Sequence, residues 1–478
     1  MDDELCFMPA VELARLVRGR ELAARELVGA FLGRIERVNP AVNAIVTLAP
    51  ERALREAEAA DEAAARGSWR GVLHGLPIAV KDLAETAGMR TTYGSPLFAD
   101  HVPDADAPHV ALLRAAGAIV VGKTNTPEFG MGSQTFNPVF GVTRNPHDLR
   151  MTSGGSSGGA AAAVAAGLLP FADGSDLAAS VRNPAAMCGV TGLRTTPGAI
   201  PGGRPADSDV FDPLAVVGPI ARSAEDAALL LEGLSGRDPR LPLARMGVGS
   251  GGRLDEVDLA ELRIAWSDDL GGLAVAGEVT GVLRRARVAL EEAGALVIED
   301  EPDLGGADEV FEVLRAGRLA AGFGGMLGRH RDQMKDTFVW NVEQGLALSG
   351  AQVGAAMLGR SRLFGRMKDF LAGGGAGRGY EVLALPTVQV APFPVEVEWV
   401  SEIDGRPQET YLEWMRSCSR ITVTTHPSVS VPAGFTEGGL PVGLQLVGAY
   451  GGDLRLLAAA KAVSAVLSPG GAVRPGLG

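Results

Sequence analysis

The sequence predicts an α/β protein whose mixed central sheet is covered by helices on both faces. Short runs of β-branched and aliphatic residues alternate with longer segments of helical periodicity. Residues 77–80 and 118–121 are typical of buried strands, whereas residues 51–66 and 107–115 are typical of helices. Because strands that alternate with helices pack as layers, this order favours a sheet between helices.

The same alternation continues to the end of the chain. Segments with charged residues between apolar positions predict helices at residues 8–37, 277–293 and 453–467. Residues 306–372, a region of 67 residues, are predicted to be mostly helical. Short apolar runs predict further strands at residues 43–48, 263–266, 296–299, 381–386, 428–431 and 442–447. Residues 197–219 and 235–253 are rich in turn-forming residues and predict connections.

Composition excludes several classes of protein. The chain has 478 residues, of which 46% are hydrophobic and 21% charged, so it can bury a sizeable core. Its net charge of −13 argues against a surface for nucleic acid or for anionic lipid. The acidic first residues do not resemble a signal peptide, and no apolar run reaches the roughly 18 residues of a membrane span. We therefore expect a soluble cytoplasmic enzyme.

The cysteine pattern indicates neither disulfides nor a metal site. Only Cys6, Cys188 and Cys418 occur, far apart and odd in number.

Two serine-bearing loops flank a run of small residues and form the most informative stretch. Residues 152–159 are Thr-Ser-Gly-Gly-Ser-Ser-Gly-Gly, and residues 174–182 are Gly-Ser-Asp-Leu-Ala-Ala-Ser-Val-Arg. Between them, residues 160–169 carry no charge and are rich in alanine, which predicts a buried helix. A serine beside clustered backbone N–H groups is what acyl transfer requires, namely a nucleophile and an oxyanion hole.

These residues resemble the amidase signature family of serine hydrolases. The Gly-Gly-Ser-Ser-Gly-Gly motif of that family stands at 154–159, and its Asp-x-Gly-Gly-Ser-x-Arg-x-Pro motif stands at 176–184 with Ala-Ala in place of Gly-Gly. The family's lysine matches Lys81, which precedes Ser156 by 75 residues, and Ser156 precedes Ser180 by 24. The resemblance extends from about residue 8 to about residue 465.

The resemblance implies a role for each motif residue. Neutral Lys81 would take a proton from Ser156, which follows a cis peptide bond in the family and relays the proton of the nucleophile Ser180. The amides of Leu177, Ala178, Ala179 and Ser180 would form the oxyanion hole. Asp176 and Arg182 would hold the loop, and Gly130, Met131 and Ser157 would contact substrate. No cofactor and no metal is implied.

From the residues alone, other interpretations stay open. Lys81 is also suited to pair with an acid such as Asp82 at a strand end, and Ser156 is also suited to cap a helix. Residues 155–159 match the nucleophile elbow of α/β-hydrolases, which would make Ser157 the nucleophile, but the preceding residues do not predict the required strand. Residues 117–124 match a phosphate-binding loop, yet their middle is itself a predicted strand. Residues 247–252 match a dinucleotide-binding fingerprint, but no strand precedes them.

The Ala178-Ala179 pair departs from the family motif. If either position needed a positive φ, alanine would add strain of about a kcal/mol. We expect the two methyl groups to face the site and to shape the acyl pocket; the alternative is that they face the core, where glycine in their place would mainly lower stability and leave selectivity unchanged.

The sequence predicts a single domain over residues 1–478. Its core would comprise about 40–235 and 375–465, and a helical region at about 300–372 would cover the site. The resemblance implies a mixed central sheet in which most strand pairs are parallel. Segments 130–137, 202–211 and 314–345 are expected to select substrates, the last through Phe323, Met326, Phe338 and Trp340. Taken alone, each of these four residues is more typical of an ordinary helix core.

The function expected from the resemblance is hydrolysis of linear amides through an acyl-enzyme, extending to aryl carbamates (urethanes) and esters. The partner would be a small-molecule amide or carbamate, with a homodimer possible in the family and with no nucleic acid or membrane. Two alternatives remain. The chain could be the A-type subunit of a glutamine-dependent tRNA amidotransferase, or a low-activity or non-catalytic member, as its Ala-Ala departure suggests.

Overall fold

A large sheet and a small sheet organise the protein. The computed structural model describes residues 2–202, 210–244, 252–373 and 378–477. The described helices are α1 (Asp2–Phe7), α2 (Ala10–Gly19), α3 (Ala24–Val42), α4 (Pro50–Ala65), α5 (Pro108–Ala115), α6 (Gly158–Ala165), α7 (Arg182–Cys188), α8 (Ala224–Leu234), α9 (Gly277–Glu292), α10 (Ala307–His330), α11 (Asp336–Leu346), α12 (Gly350–Leu371), α13 (Arg416–Thr422) and α14 (Asp453–Leu467). The described strands are β1 (Ile45–Leu48), β2 (Pro77–Lys81), β3 (Ile119–Thr124), β4 (Phe136–Asn137), β5 (Gly141–Val142), β6 (Arg144–Asn145), β7 (Asp148–Thr152), β8 (Phe171–Asp176), β9 (Thr191–Arg194), β10 (Val216–Ala221), β11 (Arg263–Trp266), β12 (Leu296–Glu299), β13 (Val382–Pro386), β14 (Glu402–Ile403), β15 (Arg406–Pro407), β16 (Ser428–Phe435) and β17 (Pro441–Val447).

The large sheet has eight strands in the order β12-β11-β13-β17-β16-β9-β10-β8. The α/β class and the mixed pairing are confirmed, but the expectation of mostly parallel strands is wrong. Only the pairs β11–β12 and β11–β13 are parallel in the described sheet, and its other five pairs are antiparallel. Helix α9 provides the crossover that a parallel pair needs between β11 and β12, whereas five residues join β16 to β17 and allow only an antiparallel hairpin.

Helices pack on both faces of this sheet, as predicted. Successive side chains of a strand point to opposite faces. In β11, Ile264 and Trp266 belong to a core cluster that contains residues of α8, α9 and α14. Ala265 between them belongs to a cluster that contains residues of α10, α12 and α13.

The small sheet has the order β1-β3-β2, and it carries Lys81 at the end of β2. The strand predicted at 118–121 extends as β3 to Thr124 and includes the buried Lys123, so the match to a phosphate-binding loop is part of a strand. Cys6, Cys188 and Cys418 are free and buried. Among the described residues, no helix combines the length and the apolar composition that crossing a bilayer requires. The division into one core and one covering region stays a prediction, and most of the fingerprint match at 247–252 lies outside the described residues.

The alanine-rich run forms α6, every residue of which is buried. A Cβ atom added to Gly159 would lie 2.3 Å from the backbone N of Asn125 and 2.6 Å from its O. Helix α6 therefore packs directly against the chain that follows β3, and glycine is required at this point for steric reasons.

Replacing Gly159 tests this close approach. We expect Gly159→Ala to lower the free energy of unfolding by about 1–3 kcal/mol or more, because the backbone of Asn125 has to move. Gly29, in the exposed middle of α3, has no atom within 4 Å of an added Cβ and provides the matched control. Gly29→Ala should stabilise the protein by about 0.5–1 kcal/mol in urea unfolding. Equal effects of the two substitutions would contradict the packing argument.

Candidate active site

A cavity of about 1210 Å³ brings the predicted site residues together. Lys81, Ser156 and Ser180 all line it, although they come from β2, from the loop before α6 and from the turn before α7. Their side chains are almost fully buried, and Ser180 is the most exposed of the three at 8%.

Among the described residues, Lys81 Nζ contacts three hydroxyl groups and one carbonyl oxygen, that of Ser175, but no carboxylate. Its Nζ lies 2.8 Å from Ser156 Oγ, 2.8 Å from Ser157 Oγ and 3.0 Å from Ser175 Oγ. The alternative pairing with Asp82 is not formed, because the Asp82 carboxylate accepts hydrogen bonds from the backbone N and the hydroxyl of Thr92. Burial lowers the pKa of Lys81 to about 7, although the charges of two aspartates, Asp173 and Asp176, oppose this shift.

The loop that carries Ser156 is fixed by hydrogen bonds to its carbonyl groups. Ser133 donates to Gly155 O at 2.8 Å, and Thr135 donates to Gly154 O at 2.9 Å. The peptide bond between Gly155 and Ser156 is cis. Helix α6 begins two residues after Ser156 and has no side-chain cap, so the capping role considered for Ser156 is wrong.

Backbone N–H groups next to Ser180 are left without acceptors. Within the described chain, nothing accepts a hydrogen bond from the amides of Leu177, Ala178, Ala179 or Ser180. Unpaired buried amides are rare in folded proteins, so a row of four beside a cavity is suited to bind an oxyanion. The backbone N of Ser157 donates to Ser180 O at 3.1 Å and ties the two serine loops together.

A buried charge network supports this row of amides. Arg182 donates from Nε and Nη2 to the Asp176 carboxylate at 3.1 and 3.0 Å, and from Nη2 to Ala178 O at 2.7 Å. Arg194 adds a contact of 3.2 Å to the same carboxylate. Burial alone would raise the pKa of Asp176, but the charges of Arg182 and Arg194 lower it to about 2. These contacts join Asp176 and Arg182 to the loop, and the holding role of the two residues stays a prediction.

The methyl groups of Ala178 and Ala179 do not face the cavity. Both side chains belong to the core cluster that contains Met187 and Trp414, and neither lines the cavity. Neither residue has a positive φ, so no backbone strain arises from the departure. The expectation that this pair shapes the acyl pocket is therefore wrong, and Leu177 forms that part of the wall.

Two of the three predicted substrate contacts line the cavity. Gly130 and Met131 do, and a Cβ atom on Gly130 would lie 3.6 Å from Ser156 Oγ. Ser157 does not, because its fully buried hydroxyl contacts Lys81 and accepts from the backbone N of Ser175. This position also excludes Ser157 as the exposed nucleophile of an elbow, although residues 148–152 do form a strand, β7.

Many of the remaining wall residues are apolar or aromatic, and the charged residues Glu85, Asp212, Arg318 and Arg360 also line the cavity. The apolar and aromatic ones include residues of the segment after β2, of the segment after β3 and of α10, namely Leu83, Tyr93, Phe98, Phe129, Leu314, Leu319, Phe323 and Met326. Phe323 and Met326 thus line the cavity as expected, whereas Phe338 is buried in the core beneath them and Trp340 is 38% exposed at the surface. Phe211 also lines the cavity, and residues 203–209 of that predicted segment lie outside the described part.

Sequence reasoning missed Ser175, Arg194 and Asp173. Ser175 precedes Asp176 on β8 and contacts Lys81, but serine is common in turns and strands and carried no signal of its own. Arg194 lies in a strand, where a buried charge is unexpected. Asp173 lies just before the Gly-Ser-Asp motif stretch, and only its contact with the backbone N of Lys81, at 2.8 Å, distinguishes it.

Comparison with known proteins agrees with this geometry. The family model described as Amidase matches residues 26–457. An acylamidase of Rhodococcus erythropolis is 36% identical over 97% of this chain and 96% of its own length. The A-type subunit of the glutamyl-tRNA(Gln) amidotransferase of Moorella thermoacetica is also 36% identical, over 96% of each chain.

Solved structures give the same result. A bacterial aryl acylamidase of the amidase signature family superposes with a TM-score of 0.87, at 28% identity over 97% of this chain and 96% of the other. A 6-aminohexanoate cyclic dimer hydrolase superposes with a TM-score of 0.85, at 30% identity over 99% of each chain. The chain therefore belongs to the amidase signature family and is an amide-hydrolysing enzyme.

Proposed function

We propose that this enzyme cleaves amides through an acyl-enzyme on Ser180, with Ser156 and Lys81 as its proton relay. The row of unpaired amides at 177–180, next to a hydroxyl that lines the cavity, is the observation that carries the proposal. A carbonyl oxygen placed against these amides would bring its carbon to Ser180 Oγ. The amides would then stabilise the negative charge that develops on that oxygen during attack.

The contacts of Lys81 suit a neutral amine. Its neutral form has two N–H donors and one lone pair. Ser157 and Ser175 can accept the two donors, which leaves the lone pair directed at the hydroxyl of Ser156. Because its pKa is lowered to about 7, a large fraction of Lys81 is neutral near neutral pH.

Protons move along the relay in both directions during one turnover. Ser180 Oγ bonds to the carbonyl carbon, its proton passes to Ser156, and the proton of Ser156 passes to Lys81. The carbon–nitrogen bond then breaks, and the relay returns a proton to the leaving nitrogen. Water attacks the acyl-enzyme with the same relay as base, which releases the acid and restores Ser180.

The cavity walls favour apolar or aryl substrates. Phe129 packs against Phe323, with ring centroids 5.2 Å apart, and both rings line the cavity. Aromatic rings offer large apolar contact surfaces to an aryl or alkyl group. Aryl amides are thus the proposed substrates, and aryl carbamates and esters, whose carbonyl groups are attacked in the same way, are proposed as further ones.

An amidotransferase subunit is the second candidate, because the identity to such a subunit equals the identity to the acylamidase. A panel of anilides, primary amides, esters and aryl carbamates, given to the purified chain alone, discriminates between the two. Turnover of anilides by the isolated chain supports the amidase. Turnover of glutamine alone among the amides, increased by partner subunits, supports the amidotransferase.

The nucleophile can be identified by covalent labelling. After treatment with a fluorophosphonate, intact mass should show one adduct on the wild-type protein and none on Ser180→Ala. Ser157→Ala is the matched control: it loses a contact to Lys81 and should react more slowly, but it should still acquire the adduct. An undiminished adduct on Ser180→Ala would contradict the assignment.

The role of Lys81 as base predicts how activity depends on pH. Activity should rise through a limb near pH 7 and level off above it, because Lys81 acts only after losing its proton at its pKa of about 7. An unperturbed lysine would place this limb near pH ~10.4. The measurement is kcat/KM from about pH 5 to about pH 10, a range in which a limb near pH 7 is complete, whereas the limb of an unperturbed lysine would still be rising at its upper end.

Substitutions distinguish the role of Lys81 from that of Lys123, the other buried lysine of the small sheet. Lys81→Met should lower kcat by about 10²–10⁴-fold or more without unfolding the protein. Lys123, whose Nζ donates to the hydroxyl of Thr86 at 2.8 Å, is the control. Lys123→Met should lower Tm and keep the limb of the wild type. Near wild-type turnover by Lys81→Met would refute its role.

Selectivity should depend on Leu177 and not on the neighbouring alanines. Leu177→Ala removes part of the cavity wall, so it should change the kcat/KM ratio between a long-acyl and a short-acyl anilide by about tenfold. Ala179→Gly should lower stability by about a kcal/mol and leave that ratio within about twofold. A larger change of the ratio in Ala179→Gly than in Leu177→Ala would reverse this assignment.

A further inference from the structure

A buried aspartate joins the strand of Lys81 to the strand that precedes Ser180. Asp173, in β8, is 2% exposed. Its Oδ1 accepts a hydrogen bond from the backbone N of Lys81 at 2.8 Å, although β2 and β8 belong to different sheets. Its Oδ2 lies 3.4 Å from Nε2 of His109, in α5.

We propose that Asp173, together with His109, is a positioning residue for Lys81 that fixes the end of β2 and sets the pH at which the enzyme becomes active. This inference rests on the function proposed above, in which Lys81 is the base. It adds a residue that controls the base without touching the substrate carbonyl.

The charged groups around Lys81 differ in whether hydrogen bonds alone or an opposite charge stabilise them. Asp82 follows Lys81 but turns to Thr92, and Lys123 lies on the adjacent strand β3, where it donates to Ala84 O and to Thr86. Asp176 is paired with two arginines, Arg182 and Arg194. Asp173 has no arginine or lysine at ion-pair distance among the described residues: the Lys81 amide and the His109 ring contact its carboxylate, and its charge also acts on the buried Lys123.

A buried carboxylate without an ion-pair partner acts strongly on a nearby amine. Low-dielectric surroundings strengthen the attraction between unlike charges. Of the charges that oppose the effect of burial on the pKa of Lys81, that of Asp173 is the largest. The charge of Asp173 thus favours the protonated form of Lys81, which makes the neutral amine a stronger base.

His109 makes the pair part of the cavity wall. The ring is 4% exposed, it lines the cavity beside Asp173, and neither of its nitrogens has a hydrogen-bond partner by strict geometry in the described chain. A buried polar ring without partners is costly to keep in a purely structural role. The Asp173 carboxylate, 3.4 Å away, is the group that its Nε2 is placed to approach.

Removing the charge while keeping the acceptor tests the proposal. Asp173→Asn retains a side-chain oxygen for the backbone N of Lys81 but loses the negative charge. We expect the acid limb of kcat/KM to move down by about one pH unit or more, since an opposite charge nearby shifts a pKa by about that amount. At a pH one unit below the wild-type midpoint, activity relative to the plateau should rise about fivefold.

The matched control is Asp226, in α8. It is likewise buried, and its Oδ1 accepts a backbone hydrogen bond, from Val11 at 3.0 Å, but it does not line the cavity. Asp226→Asn should lower Tm and leave the limb in place. If Asp173→Asn does not fold, Asp173→Ser, which also lacks the charge and keeps an oxygen, provides the same comparison. The rate of fluorophosphonate labelling against pH gives a second readout that is free of substrate binding.

The outcomes distinguish this inference from the function on which it rests. A limb of Asp173→Asn within about 0.3 pH unit of the wild type, or an equal shift in Asp226→Asn, overturns the role of Asp173. If both charge-free variants at position 173 fail to fold, the rate of fluorophosphonate labelling against pH is measured on Asp173→Glu. This variant retains the negative charge and should keep the wild-type limb, so a displaced limb overturns the role. Loss of the adduct in Ser180→Ala would meanwhile uphold the proposed function, whichever result Asp173 gives.

Discussion

One fully buried carboxylate, that of Asp176, holds the segment on which the chemistry depends. Two arginines from different elements, Arg182 at the start of α7 and Arg194 at the end of β9, converge on it. Removing one partner of such a buried pair costs about 3–5 kcal/mol, because the other charge is left without compensation. Arg182 also binds Ala178 O, so the segment between Asp176 and Arg182 is fixed at both ends and in its middle. Its amides can therefore remain unpaired without a collapse of the loop.

Burial of Lys81 is the second constraint, and it depends on the close packing of small residues. Helix α6 approaches the chain after β3 through Gly159, and the loop before it brings two hydroxyls, of Ser156 and Ser157, to the amine. Three hydroxyl contacts satisfy the amine in either protonation state, yet hydroxyls do not compensate a full charge as a carboxylate does. The same packing that stabilises the fold thus lowers the pKa of the lysine.

The sequence predicted the elements and the motif residues better than their orientation. Strand β2 ends at Lys81, α6 follows the Gly/Ser loop, and β11 and β12 have the expected bounds, because local periodicity and glycine placement determine such features. The side-chain direction of Ala178 and Ala179 was predicted wrongly, since an irregular loop has no period from which to infer a face. The position of Ser157 and the contact of Asp173 with β2 were also beyond local reasoning, because both depend on how two sheets meet.

In the loop before Ser180, the backbone and the side chains have different roles, and this difference bears on substrate choice in the proposed function. In the proposed mechanism, hydrogen bonds to the oxyanion come from main-chain N–H groups, which alanine supplies as well as glycine does. The methyl groups of Ala178 and Ala179 fill the core cluster around Trp414, so the departure from Gly-Gly adds packing behind the loop and leaves the donors in place. In the proposed function, substrate choice resides in the walls, where Leu177, Phe129 and Phe323 present apolar surface that suits an aryl or alkyl group, whereas the polar side chain of glutamine would need hydrogen-bonding partners there.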